Sequence, residues 1–366
     1  MHSSKWFLLT LALSSPLFAQ DIKIVGTLDK TLITPQSQPL KLTHRTHRLS
    51  APRVIKLLKV ELSKPAEAAL NKRASLIATQ SASLNKSSHY PRKIDLGMND
   101  VPVQDQGDYG TCVTFAVTSA IDAALGQGDY ISQLCSLQLG NYLQTNGYTY
   151  SGWDGSLGST VLSQIETFGI INKEQEHTIG CGGLTHYPAH TPIPEGTMNP
   201  EDYHQLSENI NDVIAWSPIL DIYTAMDRVD TNATLDNVKK ALNENDRVTF
   251  GVLLLDFDLG VMGAVGTHNS HYDSWVLTPE IARDIYLKPQ FGGHEMIITG
   301  YDDNAIATDE QGHEHKGLLT LRNSWGDKIG DHGNFYMSYD YFKVLTIEAQ
   351  RIRSMQADGG VDSQRA

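Results

Sequence analysis

Small and apolar residues recur at helical spacing after Cys112, where Phe115, Ala116, Ser119, Ala120, Ala123 and Ala124 predict a buried helix ending near Leu125. A Gly-Thr step leads into this run, which puts Cys112 at the helix start. Two later segments have the apolar runs of strands. Residues 296–299 are entered through Gly292, Gly293 and His294 and closed by Gly300, and residues 318–322 end by presenting Asn323, Ser324 and Trp325. The same reading predicts helices over residues 131–143 and 235–243, the second capped by Thr234, and a loop at 153 entering a helix that ends near 168. A strand is expected over 248–257 and a polar hairpin over 302–316. Residues 174–230, rich in Pro, Gly, His and acids, form an enlarged excursion of the kind that carries recognition.

The N-terminal quarter follows other rules. Lys5, the apolar run 6–13 and the Ser14-Ser15-Pro16 step lead to Ala19, as in a secretory signal peptide covering residues 1–19. An arm over residues 20–90 follows, with β-prone runs at 22–33 and 40–49 that predict a hairpin. Leu57, Leu58, Leu62, Ala66 and Leu70 predict helix over 54–78, interrupted by Pro65, with Ser63 able to cap its second piece. Residues 81–90 look like a linker, and 351–366 like a flexible tail.

Charge separates arm from body. Residues 20–93 carry +10, whereas residues from Ile94 onward carry -24 of the total -13. A basic segment tethered to an acidic domain docks on its own chain more readily than on nucleic acid. About 270 residues remain beyond the arm, enough for one two-lobed domain.

Cys112, His294 and Asn323 are the parts of a thiol hydrolase. A helix start favours the thiolate, an imidazole can take and return the proton, and a carboxamide can hold the imidazole in one tautomer. Gln106 can aim an amide at the charge that develops on an attacked carbonyl. In this order the segments QGDYGTCVTFA, GGHEMIITGYDD and RNSWGDKIGDHGNFYMSY resemble the papain-like cysteine peptidases. The resemblance, covering roughly residues 91–345, implies an α+β, two-lobed fold: a helical lobe over about 106–230, a β-barrel-like lobe over about 235–350, and an N-terminal hairpin-and-helix extension. It further implies Cys112 as nucleophile, His294 as acid and base, Asn323 as its orienter, Gln106 as oxyanion donor and Trp325 as a shield over the His-Asn pair. Asp154-Gly155-Ser156 resembles the family's substrate-pairing wall, so Gly155 and Ser156, with Gly293 and Trp325, are expected to line the substrate.

The departures from the family pattern are informative. Tyr109 and Trp153 stand where the family has a disulfide beside the nucleophile, so ring packing is expected to make that connection. Val113 and Ile329 replace two family tryptophans, which leaves preference on the leaving-group side open. Cys135 and Cys181 can form one disulfide or remain two buried thiols. Pairs such as His268/His271 and His313/His315 lack a convincing third ligand, so neither a metal nor a cofactor is expected. The function expected is that of an exported, monomeric cysteine peptidase acting on proteins or peptides. Its arm is expected to lie in the cleft as an intramolecular inhibitor, although it lacks the helix signature of the best-known family propeptides, and neither nucleic acid nor a membrane is an expected partner. Two alternatives stay open: a permanently self-blocked binding protein, and another acyl-transfer enzyme, such as an exopeptidase or amidase, on the same triad.

Overall fold

The computed structural model describes residues 21–32, 53–79, 90–190, 192–255, 265–266, 273–287, 290–309 and 311–356. The expected signal peptide, the 40–49 run, linker residues 81–89, His268, His271 and residues 357–366 lie outside them.

The arm begins with β1 (Ile22–Leu32), which pairs antiparallel with β2 (Arg53–Leu62). Residues 54–62 are therefore strand, and the helical reading of them is corrected. Val54, Ile55 and Val60 are β-branched, and the strand buries Ile55, Leu57, Leu58 and Val60 on both of its faces. A short apolar run buried on two sides cannot be told from helix by spacing alone. The helix proper is α1 (Lys64–Thr79), and Ser63 caps it by accepting the Ala66 N–H at 3.2 Å.

The body opens with β3 (Lys93–Asp95), followed by α2 (Cys112–Leu125), α3 (Gln133–Thr145) and α4 (Gly158–Phe168). The excursion contributes α5 (Lys173–Thr178), α6 (Pro200–Leu206) and β4 (Ile214–Leu220). Next come α7 (Thr231–Asn243), β5 (Arg247–Leu254), β6 (Val265–Gly266), β7 (Ser274–Trp275) and α8 (Pro279–Tyr286). The chain then forms β8 (Phe291–Thr308), β9 (Glu314–Arg322), β10 (Asn334–Ser338), α9 (Tyr339–Leu345) and β11 (Thr346–Ser354). Two boundaries differ from expectation. Asp230, not Thr234, caps α7, because the helix starts a turn earlier with the Asn232 and Ala233 N–H groups on the Asp230 carboxylate. Residues 351–354 belong to β11, where pairing with β4 and β5 holds them, and not to a tail.

The strands run in the order β4-β11-β5-β8-β9-β10-β7. Strand β8 is long enough to serve several partners: β5 along its first half, β9 from Ile297 onward, β3 at Gly300–Asp302, and β2 of the arm at Phe291–Gly293. Helix α2 packs on β8, β5 and β11, and almost every one of its residues is buried, which its small Ala, Ser and Thr side chains permit. A second core lies among the helices, around Tyr109, Phe115, Leu137, Trp153 and Tyr203. The arm belongs to the main core: Ile55, Leu57, Leu58, Val60, Ala66 and Leu70 pack in the same cluster as α2 and β8. The architecture is α+β, as expected, with the N-terminal hairpin and helix built onto it.

Candidate active site

The Gln106 segment meets the end of β9 before either supplies a side chain. Asp105 bridges Trp325, and the Gln106 N–H donates to Ser324 O at 2.9 Å. The Gln106 amide is fixed at both ends: Nε2 donates to Tyr109 O and Oε1 accepts the Ser324 hydroxyl, each at 2.8 Å. It lies fully buried beside Asn323 and the loop that leads into Cys112.

Cys112 begins α2 and is fully buried, as is His294 on β8. Strand β2 leaves β8 after Gly293, and the Glu295 backbone, one residue beyond His294, favours the Cys112 thiolate. The order of the His294-Asn323 pair is set by a third group. Asn323 Oδ1 accepts the Ser324 N–H at 2.7 Å, so it also accepts from His294 Nε2 at 2.8 Å. Nε2 then carries the proton and Nδ1 is an acceptor, buried and without a partner among the described residues. Trp325 stacks on the imidazole with centroids 4.5 Å apart, and is held edge-on by Trp275 and Phe335.

Burial decides the protonation of both side chains. It pushes the Cys112 thiol up to about 12, with the nearby Glu295 carboxyl adding to the shift, and outweighs the N–H donors that favour the thiolate. Burial likewise lowers His294 to about 4, against the Asn323 bond, which favours the protonated ring. Thiol and imidazole are thus both neutral where they are buried.

The wall residues face the arm. Gly155 has φ +123°, and a Cβ there would come within 2.3 Å of Leu58 Cδ2; one on Gly293 would meet Val60 at 2.8 Å and Leu58 at 3.3 Å. Both glycines therefore leave space that side chains of the arm fill, Leu58 at Gly155 and Val60 with Leu58 at Gly293. Ser156 turns inward, its hydroxyl donating to Tyr150 O at 3.2 Å. At the opposite end of β2, Arg53 forms an ion pair with Asp105 and hydrogen-bonds Trp325 O.

Tyr109 and Trp153 pack edge to face with centroids 4.9 Å apart, so rings stand where the disulfide was missing. The sequence reading overlooked Tyr187, which stacks on Trp153 and donates its hydroxyl to Gln106 O at 2.8 Å. It lies in the loop-rich excursion, where no periodicity marks it. Trp275 and Glu295 were overlooked as well; the carboxyl directly after the candidate histidine in a strand of small and apolar residues was the available signal for Glu295. Cys135 and Cys181 are joined in a disulfide, leaving Cys112 as the free cysteine. His313 and His315 both bond Asp309, at 3.1 and 3.2 Å.

The chain is similar in fold to xylellain, a cysteine protease from Xylella fastidiosa, at 18% identity and a TM-score of 0.46 over 77% of this chain and 89% of that one. Similar too are the proform of the ragweed pollen allergen Amb a 11, a cysteine protease (18%, TM-score 0.42, 78% and 74% covered), and procathepsin L2 of Tenebrio molitor larval midgut (19%, TM-score 0.44, 74% and 70% covered). None of the curated proteins searched matches the chain. The family model described as papain family cysteine protease, however, matches residues 90–355. That span holds the Cys112 helix, the His294 strand and the Asn323 strand end, and it makes the chain a member of the papain family, a cysteine peptidase.

Proposed function

We propose that the chain is an exported peptidase whose Cys112, His294, Asn323 and Gln106 carry out acyl transfer, and whose arm restrains it by occupying the cleft. The observation that carries the chemistry is the single free acceptor of His294. With Nε2 committed to Asn323, Nδ1 is the atom left to take the thiol proton. Once water and substrate replace the arm, the desolvation that keeps both groups neutral is relieved and the thiolate-imidazolium pair forms. The sulfur attacks the peptide carbonyl, and Gln106 Nε2 with the Cys112 N–H receives the oxyanion. His294 protonates the leaving amine, and a water that it deprotonates releases the acyl group.

Restraint is supported by where β2 lies. Its Leu58-Val60 segment adds to β8 at Phe291–Gly293, with Leu58 between Gly155 and Gly293, and Arg53 reaches Trp325 on the far side of His294. The domain division at about residues 90, 230 and 350 and the leader cut after Ala19 belong to the same proposal. So do monomeric action and the absence of nucleic-acid or membrane partners; among the described residues no helix is long and apolar enough to cross a membrane.

The test is labelling with an epoxide thiol probe read by mass spectrometry, on the full chain and on protein cut in the 81–89 linker. Label on Cys112, absent in Cys112→Ala and faster after arm displacement, together with cleavage of a reporter peptide, is the expected result. Equal rates with and without the arm would end the restraint reading, and a labelled protein that cleaves no peptide would end the peptidase mechanism.

A further inference from the structure

Three helices of this chain begin at a serine or threonine that caps them. Ser132, Thr278 and Ser338 hold extended backbone angles, and each accepts the N–H of the third residue of its helix, α3, α8 and α9 in turn. Thr111, the residue before α2, does not. Its φ of -98° and ψ of 12° lie outside the extended region, and its side chain accepts no N–H of the helix. The Thr111 hydroxyl lies instead 3.0 Å from that of Tyr187. Tyr187 donates to Gln106 O at 2.8 Å, and since a carbonyl can only accept, the phenol oxygen is left to receive the Thr111 proton. One phenol thus holds both ends of the loop between the oxyanion donor and the nucleophile.

The phenol is placed by packing that does not depend on those bonds. Its ring stacks on Trp153 at 5.6 Å between centroids and meets Phe115 of α2 edge-on at 5.0 Å. The backbone beyond it lies directly on the loop. The Asp108 N–H donates to Ala189 O at 3.0 Å, and a Cβ on Gly107, where φ is +61°, would stand 2.0 Å from that oxygen. The Tyr109 hydroxyl donates to His190 O. Burial holds the Tyr187 pKa well above that of an ordinary phenol, so it stays a donor. The groups that a cap at Thr111 would take are the N–H of Val113 or Thr114, second and third in α2. The Val113 backbone is also one of the groups that favour the Cys112 thiolate. A capping hydroxyl and an ionised sulfur would therefore compete for the same turn of helix.

We propose that Tyr187 is a positioning residue for the reaction: its hydroxyl fixes the Gln106 carbonyl, and with it the amide aimed at the oxyanion, and draws the Thr111 hydroxyl off the start of α2. The first-turn N–H groups are then left to the sulfur and to the oxyanion. Without the phenol, Thr111 is free to turn to the extended backbone of a cap and accept from Val113 or Thr114, while Gln106 O loses its donor. The inference rests on the reading of Cys112 as nucleophile and Gln106 as oxyanion donor.

The test uses the full chain with Tyr187→Phe, which keeps the ring and removes its hydroxyl, with Thr111→Val, which cannot cap, and with both. Cys112 labelling by iodoacetamide is followed against pH, kcat and KM are measured on a reporter peptide, and hydrogen exchange of the Val113 and Thr114 amides is recorded. In Tyr187→Phe the labelling midpoint should rise by about one pH unit, the scale of a gained cap. Its kcat should fall about tenfold to a hundredfold with KM within about threefold. Adding Thr111→Val should return the midpoint to the wild-type value and leave kcat low, because the Gln106 carbonyl is still unheld. A loosened structure would not restore one reading and spare the other. A midpoint that Tyr187→Phe leaves in place, or that Thr111→Val fails to bring back, would overturn the proposal, as would an unchanged kcat. A wild type that takes no label on Cys112 or cleaves no peptide would count against the peptidase reading, and amide exchange would then decide this one. The two amides should exchange about fivefold more slowly in Tyr187→Phe than in the double variant; equal exchange would overturn the proposal.

Discussion

Arg73 is a buried polar point at which the arm can be loosened without touching the cleft. It is buried on α1, and its guanidinium meets no carboxylate among the described residues. It donates instead to Val344 O at 3.1 Å, Ala225 O at 3.0 Å and Met226 O at 2.9 Å. Desolvation lowers its pKa to about 10, so it remains charged at neutral pH. In Arg73→Met the side-chain volume is largely kept while all three bonds are lost; Ala225 O retains Arg228 at 3.3 Å, but Val344 O and Met226 O face a thioether. Two lost bonds to a charged donor are worth about 3–6 kcal/mol, and relief from burying the guanidinium returns part of this. A net weakening of arm docking by about 3 kcal/mol multiplies the undocked fraction by about 100. The assay is the rate of Cys112 labelling by a thiol probe, which requires the cleft to open, alongside hydrogen exchange of the α1 amides. We expect labelling about two orders of magnitude faster and α1 protection reduced, with Arg73→Lys in between because one ammonium cannot serve three carbonyls. Faster α1 exchange with labelling at the wild-type rate would refute the reasoning, since helix and inhibitory strand would then not leave together.

Three further outcomes are expected. Gln106→Ala should lower kcat by about 10²–10³ with KM little changed, because the lost donor acts on charge present only in the transition state; an equal rise in KM would argue for a structural role through Ser324 and Tyr109. Replacing both Cys135 and Cys181 by Ala should lower stability by about 4 kcal/mol in denaturant titration, from the chain entropy of the loop their bond closes. Asp122, buried under the Tyr130 and Ile131 N–H groups, is raised to about 7 by burial. The folded chain then binds a proton that the unfolded chain has released above about pH 4. Its contribution to stability is full below the unfolded pKa and is lost as pH rises toward 7, so the melting difference between Asp122→Asn and wild type should move in the variant's favour from pH 4 to 7; a difference flat with pH would contradict the assignment.

What the sequence determined by itself was local chemistry: small residues that let α2 be buried, a cysteine at its start, a histidine entering a strand and an asparagine leaving one. Ser63 as a helix cap and aromatic rings in place of a bridge at Tyr109 and Trp153 were legible for the same reason, since each depends on residue type at a fixed position. Tertiary structure decided the rest. Whether residues 54–62 became helix or strand depended on β1 and the free edge of β8, partners far away in sequence, because an apolar run buried on both faces satisfies either geometry. Tyr187 acquired its role only when a loop without periodicity was laid against Gln106. Glu295 and Glu348, 53 positions apart, met because a glycine on the strand between them left room for two carboxyls, an arrangement set by strand register and invisible in residue order.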